Sequence, residues 1–310
     1  MPDSPARLDP AAYAKLILVT LFWGGTFVAG RMIAQDVPLM TVAFFRFLIA
    51  TIILLLIAKR MEGGLPPLNA RQFVATFALG VTGVFLYNLF FLAALARVPA
   101  GRTALLVSLS PILTSILAAI IIGEKLGWRR WMGIALGFAG VAIIVTKGDP
   151  VHAMQSVGET FGWGEAFMLG AILSWAIYTV ISRFALRGLS PIATTTYAMI
   201  FGTGMILIGT MFELDDLRLD MLTWRNAGIL LYLGALGSAV AFIWYSEGVQ
   251  RIGAARTVVF TNLVPVFGVL LGFLILDEPV LWSMAIGGAI VIAGVTLTNW
   301  ISRPATSRQV

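Results

Sequence analysis

The chain has no cysteine and a single histidine, His152. The first absence excludes a disulfide framework, thiolate metal sites and a cysteine nucleophile. The second excludes zinc sites built on several imidazoles and leaves a Ser-His triad only one base to draw on. No Gly-rich phosphate loop ending in Lys-Ser/Thr is present, so the chain does not power itself with ATP. Charge is scarce: Asp, Glu, Lys and Arg make up 12% of the 310 residues, against about 25% in a soluble domain. Hydrophobic types make up 59%. A water-soluble protein of this length could not hide so much apolar surface, so the solvent is largely lipid. The net charge of +6 is spread between long apolar runs. That is the pattern of marked membrane loops, not of a nucleic-acid patch.

Residues 1–10 are polar and hold no cleavable leader pattern, so the first apolar run reads as an uncleaved anchor. Apolar runs long enough to span predict ten helices, at 13–33, 39–58, 72–96, 103–122, 131–146, 164–185, 191–212, 226–249, 254–276 and 281–301. The fifth is short and is expected to begin nearer Trp128. Residues 59–71 are a polar turn rich in Gly and Pro, and 147–163 form the longest linker. With the N-terminus inside, the cytoplasmic segments hold 14 Lys and Arg and the opposite side 6, with Arg46 inside the second span. Both termini are therefore expected in the cytoplasm.

Residues 97–128 and 251–282 align without a gap at an offset of 154. Arg97/Arg251, Arg102/Arg256, Thr103/Thr257, Pro111/Pro265, Glu124/Glu278 and Trp128/Trp282 agree, followed by Gly133/Gly287 and Gly140/Gly294. Trp23/Trp175 and Arg31/Arg183 agree at an offset of 152. The expected architecture is an all-α integral membrane protein of ten transmembrane helices. Residues 1–150 form one five-helix repeat and 151–310 a second. An odd number of spans per repeat forces the second to enter from the opposite side, which is a transporter signature.

Phe45, Arg46 and Phe47 in span two, a proline midway through spans four and nine, and Gly123-Glu124 with its echo Asp277-Glu278 resemble the EamA family of the drug/metabolite transporter superfamily. The resemblance covers roughly residues 13–301. It implies a ten-helix exporter of small metabolites, working without a cofactor. Within the family the chain looks most like YddG-type exporters of aromatic and other amino acids.

The candidate site residues are those that put polarity or aromatic surface at bilayer depth. Arg46 is costly in lipid and must face the interior. It is either an attractor for a substrate carboxylate or a structural contact to backbone carbonyls or a vestibule. Tyr87 and Phe91 share one face of span three, and Asn88 needs a hydrogen-bond partner there. Trp175 and Tyr178 in span six, and Trp23 in span one, lie too deep for interface belts; helix packing is their ordinary role and a substrate wall the functional one. Tyr197, Trp244 and Tyr245 join the set with less support. Trp128, Trp224, Trp282 and Trp300 fall at span ends and read as interface belts. Ser108 and its repeat mate Asn262 precede Pro111 and Pro265. Each proline frees a backbone carbonyl, at Val107 and Thr261, and makes its helix a gating hinge.

Small-residue faces at Gly133 and Gly137, and at Ala285, Ala289 and Ala293, suit close helix packing. Spans five and ten are expected at the periphery, and the protein is expected as a monomer, with a dimer as the alternative. Glu124, Glu165, Glu213 and Glu247 all lie near span ends, so no carboxylate sits where a proton pump would bury one. A facilitator or exchanger is favoured on that ground.

The reading is a secondary transporter, not an enzyme, that exports neutral and aromatic amino acids and related metabolites across the inner membrane by alternating access. Its partners are the small-molecule substrate and the bilayer, not nucleic acid. No metal is called for. Other metabolites or drugs are the alternative cargo. A lipid-modifying membrane enzyme would need clustered His, Asp or Glu at an interface, which the sequence lacks.

Overall fold

The computed structural model describes residues 10–122, 127–149, 161–185, 188–216, 221, 223–252 and 260–299. Glu124, His152, Arg256, Thr257 and Trp300 lie outside the described residues. Among the described residues every regular element is helical. α1 spans Pro10–Ile33 and α2 Leu39–Glu62. α3 runs Ala70–Leu95, with a π-helical stretch, Gly80–Leu86, between α-helical ends. α4 is in two pieces, Ala100–Val107 and Ser110–Ile122. α5 spans Trp128–Val145, α6 Trp163–Ala185 and α7 Pro191–Met211. α8 joins Trp224–Leu231, a π-helical stretch Tyr232–Val240, and Ala241–Ile252. α9 is Leu263–Leu276 and α10 Trp282–Asn299.

α1 to α8 are long and apolar enough to cross a membrane, and α9 and α10 are shorter apolar helices. The fifth helix begins at Trp128, as its sequence pattern predicts. Large apolar side chains such as Leu56, Ile120, Leu274 and Ile286 stand exposed. In a water-soluble fold these would be liabilities; here they are the surface that lipid covers. Trp128, Trp224 and Trp282 sit exposed at helix starts, as interface anchors do.

Local chemistry sets where several helices begin. The Asn69 side chain accepts from Gln72 N while Gln72 Oε1 accepts from Asn69 N, a reciprocal capping box that opens α3. Ser190 Oγ accepts from Ala193 N, and Pro191 supplies a preset φ at the first turn of α7. Two other helix starts borrow their caps from far along the chain. Glu213 accepts from Met40 N and Thr41 N at 3.1 and 3.0 Å and caps α2. Glu278 accepts from Ala100 N and Gly101 N at 2.8 and 3.0 Å and caps α4. A carboxylate against free N–H groups at a helix's positive end satisfies both hydrogen bonding and the macrodipole.

The helix pairings have a pattern. α5 packs on α10, α2 on α7 and α4 on α9. α1 packs on α8 and α9, and α6 packs on α3 and α4. α2 packs on α8, and α7 on α3. The α5–α10 crossing is closest. A Cβ on Gly133 would meet Gly294 O at 2.6 Å, and a Cβ on Gly140 would meet Gly287 O at 2.6 Å. Only glycine lets two backbones approach so nearly. α5 and α10 touch the remaining helices sparingly, so they lie to one side of the bundle.

The break in α4 falls just before Pro111. Pro111 has no N–H for the Val107 carbonyl, and Ser110 Oγ donates to that oxygen instead, at 2.7 Å. In the second half, Val264 N donates to Thr261 O at 3.1 Å as α9 begins, one residue before Pro265.

Candidate functional site

Arg46 lies seven residues into α2, about 10 Å below its start. It is 8% exposed. Its Nε donates to Ser238 Oγ of α8 at 3.2 Å, and its Nη1 donates to Asn88 Oδ1 of α3 at 3.1 Å. The guanidinium also stacks over Phe47, 5.1 Å from the ring centroid. Both acceptors are themselves fixed. Asn88 Nδ2 donates to Val84 O at 2.9 Å, and Ser238 Oγ donates to Leu233 O at 2.9 Å.

The two π-helical stretches matter here. A π turn bonds each residue to the fifth before it and widens the helix, and such turns concentrate at functional sites. Ser238 reaches back five residues to Leu233 inside one stretch, and Asn88 stands two residues past the end of the other. Two neutral side chains from α3 and α8 thus meet one cation.

Arg46 has no carboxylate partner among the described residues. Its Nη2 makes no hydrogen bond to the protein, yet is not among the side-chain atoms sealed from solvent. A buried guanidinium is thus held at one end and open at the other. Sequence reading expected backbone carbonyls or a vestibule as its structural contacts; the contacts are two side chains, one of them the Asn88 amide that needed a partner.

Next to this polar node runs a chain of rings. Phe27 meets Phe91 edge-on at 5.2 Å, and Phe91 stacks on Tyr87 at 5.6 Å. Tyr87 leans on Trp175 at 5.3 Å, and Trp175 stacks on Tyr178 at 5.0 Å. A second group lies between α1 and α8, where Trp23 contacts Tyr245 at 5.4 Å and Phe242 at 6.0 Å. Buried tyrosine and tryptophan normally spend their polar tips on a partner. Tyr232 does so, donating to Phe22 O at 2.8 Å. Tyr87, Tyr178, Tyr245, Trp23 and Trp175 do not. Their polar tips make no hydrogen bond to the described protein and are not sealed, and all five residues are half-buried. Both ring groups thus hold donors without a partner among the described residues.

The structure gathers Arg46, Asn88, Tyr87, Phe91, Trp175 and Tyr178 around α3. It sets Trp23 on the other wall. Tyr197 is elsewhere: its hydroxyl donates to Pro66 O in the α2–α3 loop at 2.6 Å, and its ring lies against Phe201. Trp244 is elsewhere too, against Phe22 and under Lys15. Ser108 falls at the α4 break, its hydroxyl buried without a partner, and Asn262 sits at the start of α9 without capping it.

Sequence reading missed Ser238 and Phe242. The signal for Ser238 was slight: one serine in the small-residue run Gly234 to Ala239. Tyr245, 154 residues after Phe91, meets Trp23 in the second ring group. Two of the described acids form ion pairs near helix ends. Glu165 pairs with Arg102 at 3.0 Å, and Glu247 with Lys15 at 2.7 Å and with Arg251.

The sequence pattern of the EamA-like transporter family matches residues 11–146 and 162–300. Among curated relatives, the uncharacterized transporter YyaM of Bacillus subtilis is 27% identical, over 94% of this chain and 94% of that protein. A probable terminal-alkyne amino-acid exporter of Streptantibioticus cattleyicolor is also 27% identical, over 94% of each chain. A WAT1-related chloroplastic protein of Arabidopsis thaliana is 29% identical, over 93% of this chain and 69% of its own length. A solved crystal structure superposes with a TM-score of 0.62 at 20% identity, covering 96% of this chain and 99% of that one. At that identity the likeness speaks for a shared fold alone.

Proposed function

The chain belongs to the EamA-like transporter family, and from that premise we propose that it is a secondary transporter exporting neutral and aromatic amino acids across the inner membrane by alternating access. The observation that carries the cargo is the half-free guanidinium of Arg46. A buried cation without an anionic partner is costly, and the carboxylate of an amino acid supplies the missing charge in a charge-assisted pair. The ring walls suit the rest of the molecule. Their faces take an apolar side chain, and the ammonium group is attracted to their π surfaces. A relative named for amino-acid export, alike along its whole length, favours the same cargo. Within this reading the chain resembles YddG-type carriers, works as a monomer and places both termini in the cytoplasm.

The working architecture is ten spans in two inverted repeats, residues 1–150 and 151–310. Adding five to each helix number, with ten as the cycle, turns the observed pairings into one another: α1–α9 becomes α6–α4, and α2–α8 becomes α7–α3. Thr51 and Thr203, 152 residues apart, hydrogen-bond across the α2–α7 contact at 3.1 Å, as equivalent residues on a shared axis do. Alternating access then exchanges the two repeats' conformations around a fixed site. The breaks at Pro111 and before Pro265 are where α4 and α9 bend.

Counterflow of labelled phenylalanine in proteoliposomes tests the cargo, run beside phenethylamine, which lacks only the carboxylate. The parent is expected to prefer phenylalanine, and Arg46→Gln to lose that preference. An Arg46→Gln protein that still favours phenylalanine sinks the carboxylate role. A reporter fused after Val310 and active only outside the cell sinks the topology.

A further inference from the structure

Gly83 lies on the π-helical stretch of α3 and faces the ring of Tyr178. A Cβ built there would stand 2.7 Å from both Cγ and Cε2 of that ring and nearer still to Cδ2. Unstrained carbon contacts sit at about 3.5–4.0 Å. The atoms met are the body of a ring attached to α6, not the free end of a flexible chain, so the ring itself must move. Its freedom is limited. Leu79, Ala185 and Ala198, all buried, pack against it. Trp175 stacks on it at 5.0 Å, with Tyr87 beyond. A ring displaced from the Gly83 notch therefore disturbs its stack on Trp175 and the aromatic surface that the stack continues.

We propose that Gly83 is a specificity-determining position: by seating Tyr178 deep in α3, it clears the room that lets the aromatic wall accept large side chains. The inference rests on the reading of that wall as a substrate surface. The position 154 residues later, Gly237, faces Thr26 of α1, a much smaller side chain, so only the first notch holds a ring. Gly83 touches no substrate in this scheme. It acts through Tyr178, as a positioning residue. One methylene's worth of lost room in an apolar pocket discriminates substrates by about 10–200-fold.

The test is binding to the detergent-solubilised full chain, read as the rise in melting temperature with L-alanine, L-phenylalanine and indole. Indole has no carboxylate or amine and so probes the wall without the amino-acid reading. Gly83→Ala is expected to weaken phenylalanine and indole about tenfold or more while alanine stays within about twofold. The double variant Gly83→Ala/Tyr178→Ala, which removes the displaced ring, is expected to bind indole and phenylalanine better than Gly83→Ala does, at the level of Tyr178→Ala alone. Equal weakening of all three probes, unchanged indole and phenylalanine binding, no recovery in the double variant, or a parent that binds no probe each overturns the proposal. If indole follows the expected pattern while neither amino acid binds the parent, the notch stands and the amino-acid cargo falls.

Discussion

Trp175 stacks on Tyr178, whereas Trp23, 152 residues earlier, is followed three positions on by Thr26, whose hydroxyl turns back to the Trp23 carbonyl at 2.6 Å. Apart from the shared Trp23 and Trp175, the two ring groups differ at the positions around Arg46. On α3 stands Asn88; 154 residues later, on α8, stands Phe242. On α2 stands Arg46; 152 residues later, on α7, stands Ala198, buried in apolar packing. Tyr87 is matched by Ala241 and Phe91 by Tyr245. What agrees between the halves is backbone: prolines at the breaks, glycines at the crossings, the placement of both π-helical stretches. What disagrees is side chains around Arg46. Under the proposed function, a scaffold that exchanges the roles of its halves keeps the motion-bearing residues alike, and a site for a molecule with a charged end and an apolar end keeps its lining unlike.

The strongest way to break this contrast is to treat matching positions alike. Asn88→Leu removes the acceptor that holds Nη1 of Arg46, and a hydrogen bond to a charged group is worth about 1.5–3 kcal/mol. Phenylalanine affinity is expected to fall by that amount, while Phe242→Leu at the corresponding place changes it far less. Equal losses from the two, measured by binding to purified protein, would mean the halves contribute the same chemistry. Removing the tryptophans comes next. Trp175→Ala and Trp23→Ala each delete a ring whose neighbours add about 0.5–1.5 kcal/mol beyond burial. Transport is expected to weaken several-fold in both while each protein stays monodisperse.

The prolines sharpen the other side of the contrast, where the halves agree. Pro111→Ala and Pro265→Ala should slow transport to a similar degree with little change in folded yield; full rates in both variants would remove the breaks from the transport cycle. The smallest effect belongs to the Thr51–Thr203 pair. Thr51→Val alone strands one buried hydroxyl, and the melting temperature is expected to drop by the equivalent of about 1 kcal/mol. Thr51→Val/Thr203→Val removes both partners and should recover most of it. A double variant less stable than either single one would show that the contact is more than a hydrogen bond.

The apolar helices and the break before Pro111 were legible in the sequence because each rests on a local signal: about 20 apolar residues for a crossing and a proline for a freed carbonyl. Asn88 was legible as an amide in need of a partner, but not the identity of that partner. Arg46 lies 42 residues from Asn88 and 192 from Ser238. Nothing local in a sequence encodes a meeting of three helices. The π-helical stretches were hidden for a related reason, since both are made of small and apolar residues that an ordinary α-helix accepts equally well. Tyr197 and Trp244 were drawn into the candidate site by depth alone. Depth does not say which way a helix turns its face, and both turn away from the ring chain of α3 and α6.

The helix caps carried by Glu213 and Glu278 bear on how the protein is made. Met40 receives its cap from a residue 173 positions later, and Ala100 from one 178 positions later. A chain emerging from the ribosome therefore places α2 and α4 in the bilayer with their first N–H groups still bare, and holds them so until the far half is synthesised. The reverse order holds for α7, whose N-cap, Ser190, donates to a Glu62 carboxylate already made 128 positions before. The early half waits for the late one, and the late one arrives to a partner in place. Insertion of α2 and α4 is thus provisional during synthesis. Their final seating is the event that closes the molecule.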